Sequence, residues 1–128
     1  MESKKEIYDL IPAEYYGIVF HCKSGTSVDS VLQEVKKNNL LYPLIAKPDI
    51  GMQGKAVKKL EDEGALEQYV LSSHVDFLIQ EYIEYENEVG VFYYKYPNER
   101  YGHISGIAKK EFLTVCGDGI STILLMIN

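Results

Sequence analysis

The 128-residue sequence is poor in the features that mark several classes of protein. It has two cysteines, Cys22 and Cys116, far apart and without metal-site spacing. That excludes a disulfide-stapled scaffold or a thiolate zinc cluster, and both read as reduced thiols. Cations are the minority, 13 Lys and Arg against 19 Asp and Glu for a net charge of −6. Such a balance argues against a general nucleic-acid binder or a binder of anionic membranes, which need the opposite excess. A small anion stays within reach, because it needs only a few cations placed well. No stretch approaches the ~18 consecutive apolar residues of a membrane span, and no signal peptide opens the chain, so a cytoplasmic protein without a membrane partner is expected. Histidines 21, 74 and 103 are scattered, with no pair at helical spacing, and no protein-held metal site is predicted. Repeats and low-complexity tracts are absent. What remains is ordinary globular composition, 46% hydrophobic and 25% charged, in a chain of one-domain length.

Helical signals come early in the chain. Ile7, Leu10 and Ile11 have helical spacing before Pro12, which predicts a short helix ending near Leu10, with Lys4 and Lys5 at its start. Val28, Val31, Leu32 and Val35 recur at i, i+3, i+4 and i+7, one buried face of a helix capped by Thr26 or Ser27. Ala65–Val70 reads as a second amphipathic helix after an acidic turn at Glu61–Glu63. Strands are predicted at Gly17–Phe20, Leu44–Lys47, Val57–Leu60, Phe77 onward and Val89–Tyr94. His103–Val115 has mixed strand character interrupted by Lys109-Lys110. The Cys116–Gly119 turn needs positive φ values, and Ser121 or Thr122 caps a last helix.

Two stretches carry candidate chemistry. In Leu44-Ile45-Ala46-Lys47-Pro48, a lysine closes an apolar strand, and DIGMQGKAV follows. Lys47 is either a strand-end lysine reaching for solvent or a cation for phosphate oxygens. Gly51 and Gly54 permit close approach of backbone amides to a polyphosphate, although the spacing is not that of a Walker A loop. The second stretch, FLIQEYIEYENEVGVFYYKYP from Phe77 to Pro97, turns abruptly from apolar to acidic and back to strand. An extended segment of this kind offers main-chain N–H and C=O groups to the edge of adenine. Gln80 can meet the amino group of the base, and Glu88 can accept the ribose hydroxyls.

Taken together, YPLIAKPDIGMQGKAV, FLIQEYIEYENEVGVFY and KKEFLTVCGDGIST resemble, in order and rough spacing, landmarks of the ATP-grasp ligases. These include D-alanine–D-alanine ligase, and the GDGxST turn is similar to that of cyanophycin synthetase and the fused glutathione synthetases. The resemblance covers most of the chain from about Tyr42. It implies an ATP site in which Lys47 contacts the phosphates and the Gly51–Gly54 loop covers them. Gln80 to Ile83 hold adenine, Glu81 and Ile83 through backbone, and Glu88 takes the ribose. Lys4 (or Lys5), at the start of the first helix, and Lys110 (or Lys109) reach phosphates. The family more often has Glu where Gln80 stands. Mg2+ is implied as well, on ligands expected outside this sequence, and Asp118 reads as a turn residue.

The expectation is therefore an α+β domain, with helices on one side of a largely antiparallel sheet. Residues 1–79 would form a first ATP-grasp lobe, 80–88 a hinge and 89–128 the opening of a second lobe. The expected function is the ATP-binding portion of a carboxylate–amine or carboxylate–thiol ligase acting through an acyl phosphate, inactive as this piece alone. Its partners would be a nucleotide and, in a parent protein, a small carboxylate with an amine or thiol. Two rivals stand beside it: a nucleotide-sensing module without chemistry, and an unrelated α+β protein-interaction domain using the tyrosines near the hinge.

Overall fold

A computed structural model describes residues 3–50, 56–111 and 119. The fold is α+β, and every strand pair among the described residues is antiparallel. The chain divides into two compact units, Met1–Ile83 and Glu84–Asn128.

The first unit is built on a four-stranded sheet of order β1-β4-β2-β3. Its strands are β1 (Val19–Cys22), β2 (Leu44–Pro48), β3 (Lys58–Leu60) and β4 (Phe77–Glu81). The central strand β4 has partners on both sides, from Cys22↔Phe77 to Val19↔Gln80 and from Pro48↔Phe77 to Leu44↔Glu81. Strand alternation sorts the side chains between two faces. Leu44, Ala46, Phe77 and Ile79 belong to a buried cluster with Cys22, Leu60, and residues of two helices. Those helices are α2 (Val28–Lys37), contributing Val31 and Val35, and α3 (Glu63–Ser72), contributing Leu66, Tyr69 and Val70. Phe77-Leu78-Ile79 is buried throughout, as a strand covered on both faces requires.

Local chemistry sets the helix ends. The Ser27 hydroxyl caps α2 by accepting from the Ser30 N–H. At the other end Asn39 has φ 52°, and the N–H groups of Asn39 and Leu40 bond to the carbonyls of Lys36 and Val35. That pattern is a Schellman motif, and it turns Leu40 into the core. Asp62 caps α3 by accepting from the Ala65 N–H at 2.8 Å, so part of the expected acidic turn is a helix start.

The short helix α1 (Lys4–Leu10) has no buried residue of its own. It lies against the opposite sheet face, through contacts of Tyr8 with Lys47 and Gln80. One-sided packing thus holds for α2 and α3 but not for α1. A 3-10 turn at Ala13–Tyr15 leads into β1.

The described part of the second unit is a two-stranded ribbon of β5 (Glu88–Tyr94) and β6 (His103–Lys110). Pairing runs from Glu88↔Lys110 to Tyr94↔His103, with a register shift between Phe92 and Tyr93. Lys109 and Lys110 continue β6 instead of interrupting it. Val89, Val91, Phe92, Ile104 and Ile107 of the ribbon are exposed. Gly119 has φ 76°, the left-handed conformation expected of that turn. The glycine loop at 51–55, Cys116, Asp118 and the expected last helix lie outside the described residues.

Candidate functional site

Three side chains meet on the α1 side of the first sheet. Ile45 and Gln80 are register partners, as are Lys47 and Leu78, so Lys47 and Gln80 project from adjacent strands onto one face. Tyr8 comes down between them from α1. The Lys47 ammonium donates to the Tyr8 hydroxyl at 2.9 Å and stands 5.0 Å from the centre of its ring. The hydroxyl in turn donates to Gln80 Oε1 over a long 3.4 Å. Tyr16 meets the Tyr8 ring edge-on at 4.8 Å. Lys47, Tyr8 and Gln80 are all half-buried.

Gln80, Glu81 and Ile83 line one small cavity together with Tyr8, Gly17, Ile18 and Val19. Its volume is about 20 Å³, room for a single water and far below the roughly 300–1,000 Å³ of small-molecule sites. Glu81 is committed to the chain opposite. Its N–H donates to the Ile18 carbonyl and its carboxylate accepts from the Ile18 N–H, both at 3.0 Å. A Cβ at Gly17 would stand 2.0 Å from Glu81 Oε1, so a larger residue there would push the carboxylate off its bond to Ile18. Ile83 follows the strand and is half exposed.

Beyond Lys47, a polar cluster fastens α1 to the end of β2. Buried Asp49 accepts from the Lys5 N–H and the Ser3 hydroxyl, both at 2.8 Å. Ser3 caps α1 in the same arrangement, accepting from the Glu6 N–H. The Lys4 ammonium donates to the carbonyls of Pro48 at 2.8 Å and Asp49 at 3.0 Å. Lys4 is therefore engaged with main chain, one residue from the strand end that carries Lys47. His21 stands 3.9 Å from Asp49 Oδ2 and 3.8 Å from Asp76 Oδ2, distances of electrostatic attraction and not of hydrogen bonding.

Burial pushes the Asp49 carboxyl up, but the Lys5 N–H, Ser3 hydroxyl, His21 and Lys4 together outweigh it and hold the pKa below its ordinary 3.8. A depressed folded-state pKa contributes stability above the unfolded value and loses it as pH falls through the folded one. We expect Asp49→Ala to cost about 1–2 kcal/mol at neutral pH, the worth of a helix cap with its hydrogen bonds. The gap between wild type and variant should narrow below about pH 4, where the unfolded carboxyl begins to protonate, and close further as pH falls through the lower folded pKa. Urea unfolding at a series of pH values reads it directly. A gap that stays constant into acid would show that the charge of Asp49 contributes nothing.

The other candidates occupy the second unit. Glu88 and Lys110 are cross-strand partners at one end of the ribbon and form an exposed ion pair with each other; Lys109 pairs with Val89. Gly51 and Gly54 lie outside the described residues. Among the described residues no group of three or more His, Cys, Asp or Glu is arranged to hold a metal ion. Among them, too, no helix is long and apolar enough to cross a membrane. Cys22 is a packing residue: burial first, and Glu34 second, push its thiol up to about 12, out of nucleophile range.

Sequence reasoning missed Tyr8 and Asp49. Tyr8 follows Lys4 by one helical turn, and Asp49 follows Pro48, but neither spacing signals a partner some forty residues or more away in the chain. No protein-family model matches this chain, and no curated protein matches it.

Proposed function

We propose that the first unit is the nucleotide-binding floor of an ATP-grasp carboxylate–amine or carboxylate–thiol ligase. What supports the reading most is the shared face of Lys47 and Gln80 on adjacent strands. It puts a cation and an amide beside one another, next to a cavity edged by Glu81 and Ile83. A nucleotide needs that combination: a charge for its phosphates and fixed polar groups for the edge of its base. Lys47 neutralises phosphate oxygens, the Gln80 carbonyl oxygen accepts from the adenine amino group, and the main chain of Ile83 meets the rest of that edge; the Glu81 N–H expected there is already bonded to the Ile18 carbonyl. Magnesium, when bound with ATP, neutralises phosphate charge during acyl-phosphate formation. Its protein ligands are not assigned to any described residue.

Base choice tests this. Gln80 Oε1 accepts from an amino group, and guanine presents a carbonyl at the corresponding position. A mismatched buried polar pair costs roughly 1–3 kcal/mol, so ATP should bind about fivefold or more tighter than GTP under the same conditions. Equal affinities in paired titrations would remove the base-site assignment.

One observation favours a second reading. Tyr85, Tyr93, Tyr94, Tyr96 and Tyr101 of the second unit are all exposed, and tyrosine is enriched at protein-interaction hot spots. A protein-interaction domain that binds neither ATP nor GTP is the outcome that would select it.

A further inference from the structure

We propose that Tyr8 is a gate on the Lys47 ammonium: a polyphosphate binds Lys47 only by displacing the Tyr8 hydroxyl, and α1 carries the gate. Three observations converge on this. The Tyr8 hydroxyl holds the ammonium at 2.9 Å and touches Gln80 as well, so one side chain occupies both groups that a nucleotide would use. The cavity it shares with Gln80, Glu81 and Ile83 is about 20 Å³, too small for a purine until the Tyr8 wall moves; on its other side Tyr8 lines a cavity of about 190 Å³ with Tyr16, His21 and Leu78. Finally, α1 packs lightly. It buries no residue, and Leu10 near its end is 84% exposed. Its firm attachment is at the N-terminal end, where Ser3, Lys4 and Lys5 bond to Pro48 and Asp49. The helix is thus tethered at one end and rests on Lys47, Gln80 and Tyr16 through Tyr8.

The exchange favours a polyphosphate for a simple reason. A neutral hydroxyl is a weaker partner for an ammonium than an anionic phosphate oxygen, since charge-assisted hydrogen bonds are roughly twice as strong as neutral ones. In the unliganded protein the hydroxyl satisfies a half-buried cation that would otherwise depend on water. On binding, that contact must be given up, and its strength is subtracted from the affinity.

Only the ATP arm of the test rests on the nucleotide reading; inorganic tripolyphosphate tests the gate alone. Tyr8→Phe keeps the ring over Lys47 but removes the hydroxyl. We expect tripolyphosphate to bind the variant about threefold to tenfold tighter than wild type, the range set by one net hydrogen bond. Adenosine makes no use of Lys47, must displace the same ring in both proteins and regains only the long 3.4 Å contact at Gln80, so it should gain less than tripolyphosphate does. NMR titration at low salt, which reads millimolar affinities, provides the comparison, and unchanged amide shifts remote from α1 show that the variant is folded. In wild type, saturating tripolyphosphate should abolish the nuclear Overhauser contacts between the Tyr8 ring and the Lys47 side chain. Unchanged or weaker tripolyphosphate binding by Tyr8→Phe would overturn the gate, as would Tyr8–Lys47 contacts that persist at saturation. So would absence of tripolyphosphate binding to either protein. If tripolyphosphate is gated but ATP gains nothing over it, the gate stands and the nucleotide reading fails. If ATP binds and Tyr8→Phe leaves it unchanged, the nucleotide reading stands and the gate fails.

Discussion

Phe77→Ala is expected to remove about 3–5 kcal/mol from the stability of the first unit, the usual cost of deleting a fully buried phenylalanine. Domains of this size are stable by only about 5–15 kcal/mol, so the variant should lose a large share of that margin. The ring is 1% exposed and opens the central strand, where it opposes Cys22 on one side and Pro48 on the other. From the helix layer Tyr69 meets it edge-on at 5.4 Å. Two strands and α3 therefore converge on one side chain, and no neighbour can collapse into the space it leaves without breaking the sheet register. The loss carries over to the candidate site, because the same strand presents Gln80 and Glu81. Urea unfolding followed by far-UV circular dichroism measures the cost. Ile107→Ala in the ribbon is the natural control: at 68% exposure it should change stability by less than about 0.5 kcal/mol. A Phe77→Ala cost below about 1 kcal/mol would mean that this core is not what holds the sheet together.

Local patterns proved legible and long-range pairings did not. The α2 periodicity marks both its buried face and its ends, because caps and amphipathic spacing are written within ten residues. Strand β2 extends one residue beyond the expected Lys47 to Pro48, since a proline can end a strand that needs no further N–H. Strand β1 begins two residues later than the Gly17 expected from hydrophobicity. Its register is fixed by β4, and Ile18 is held by the side chain and backbone of Glu81. Lys109-Lys110 looked like an interruption because charge disfavours a buried strand. They continue β6 since both are exposed there and Lys110 faces Glu88 across the ribbon. Of the candidate site, the strand positions of Lys47 and Gln80 were readable. That they share a face was not, since it depends on the β2–β4 register. Tyr8 could not be found at all by local reading: it meets Gln80 72 residues away in sequence.

That shared face makes Lys47→Ala the decisive substitution for function. The ammonium is presented on the sheet face with Gln80, and removing it should weaken ATP about tenfold to a hundredfold. The range corresponds to a hydrogen bond to a charged group, about 1.5–3 kcal/mol. Adenosine should keep its affinity within about twofold, because it presents no phosphate for a lysine to neutralise. Lys47→Arg retains the charge but replaces a compact ammonium by a planar fork, so it should recover only part of the ATP affinity. Stability sorts this outcome from a merely structural one. As a strand-end lysine tied only to Tyr8, Lys47 could be lost at a cost of about 1 kcal/mol in unfolding free energy, and ATP and adenosine would change in parallel. Parallel titrations of both ligands against wild type and both variants, with urea unfolding of each protein, read all of these quantities. An ATP affinity unchanged in Lys47→Ala would return that lysine to the role of a strand-end side chain reaching for solvent. The nucleotide floor would then have no phosphate contact on β2.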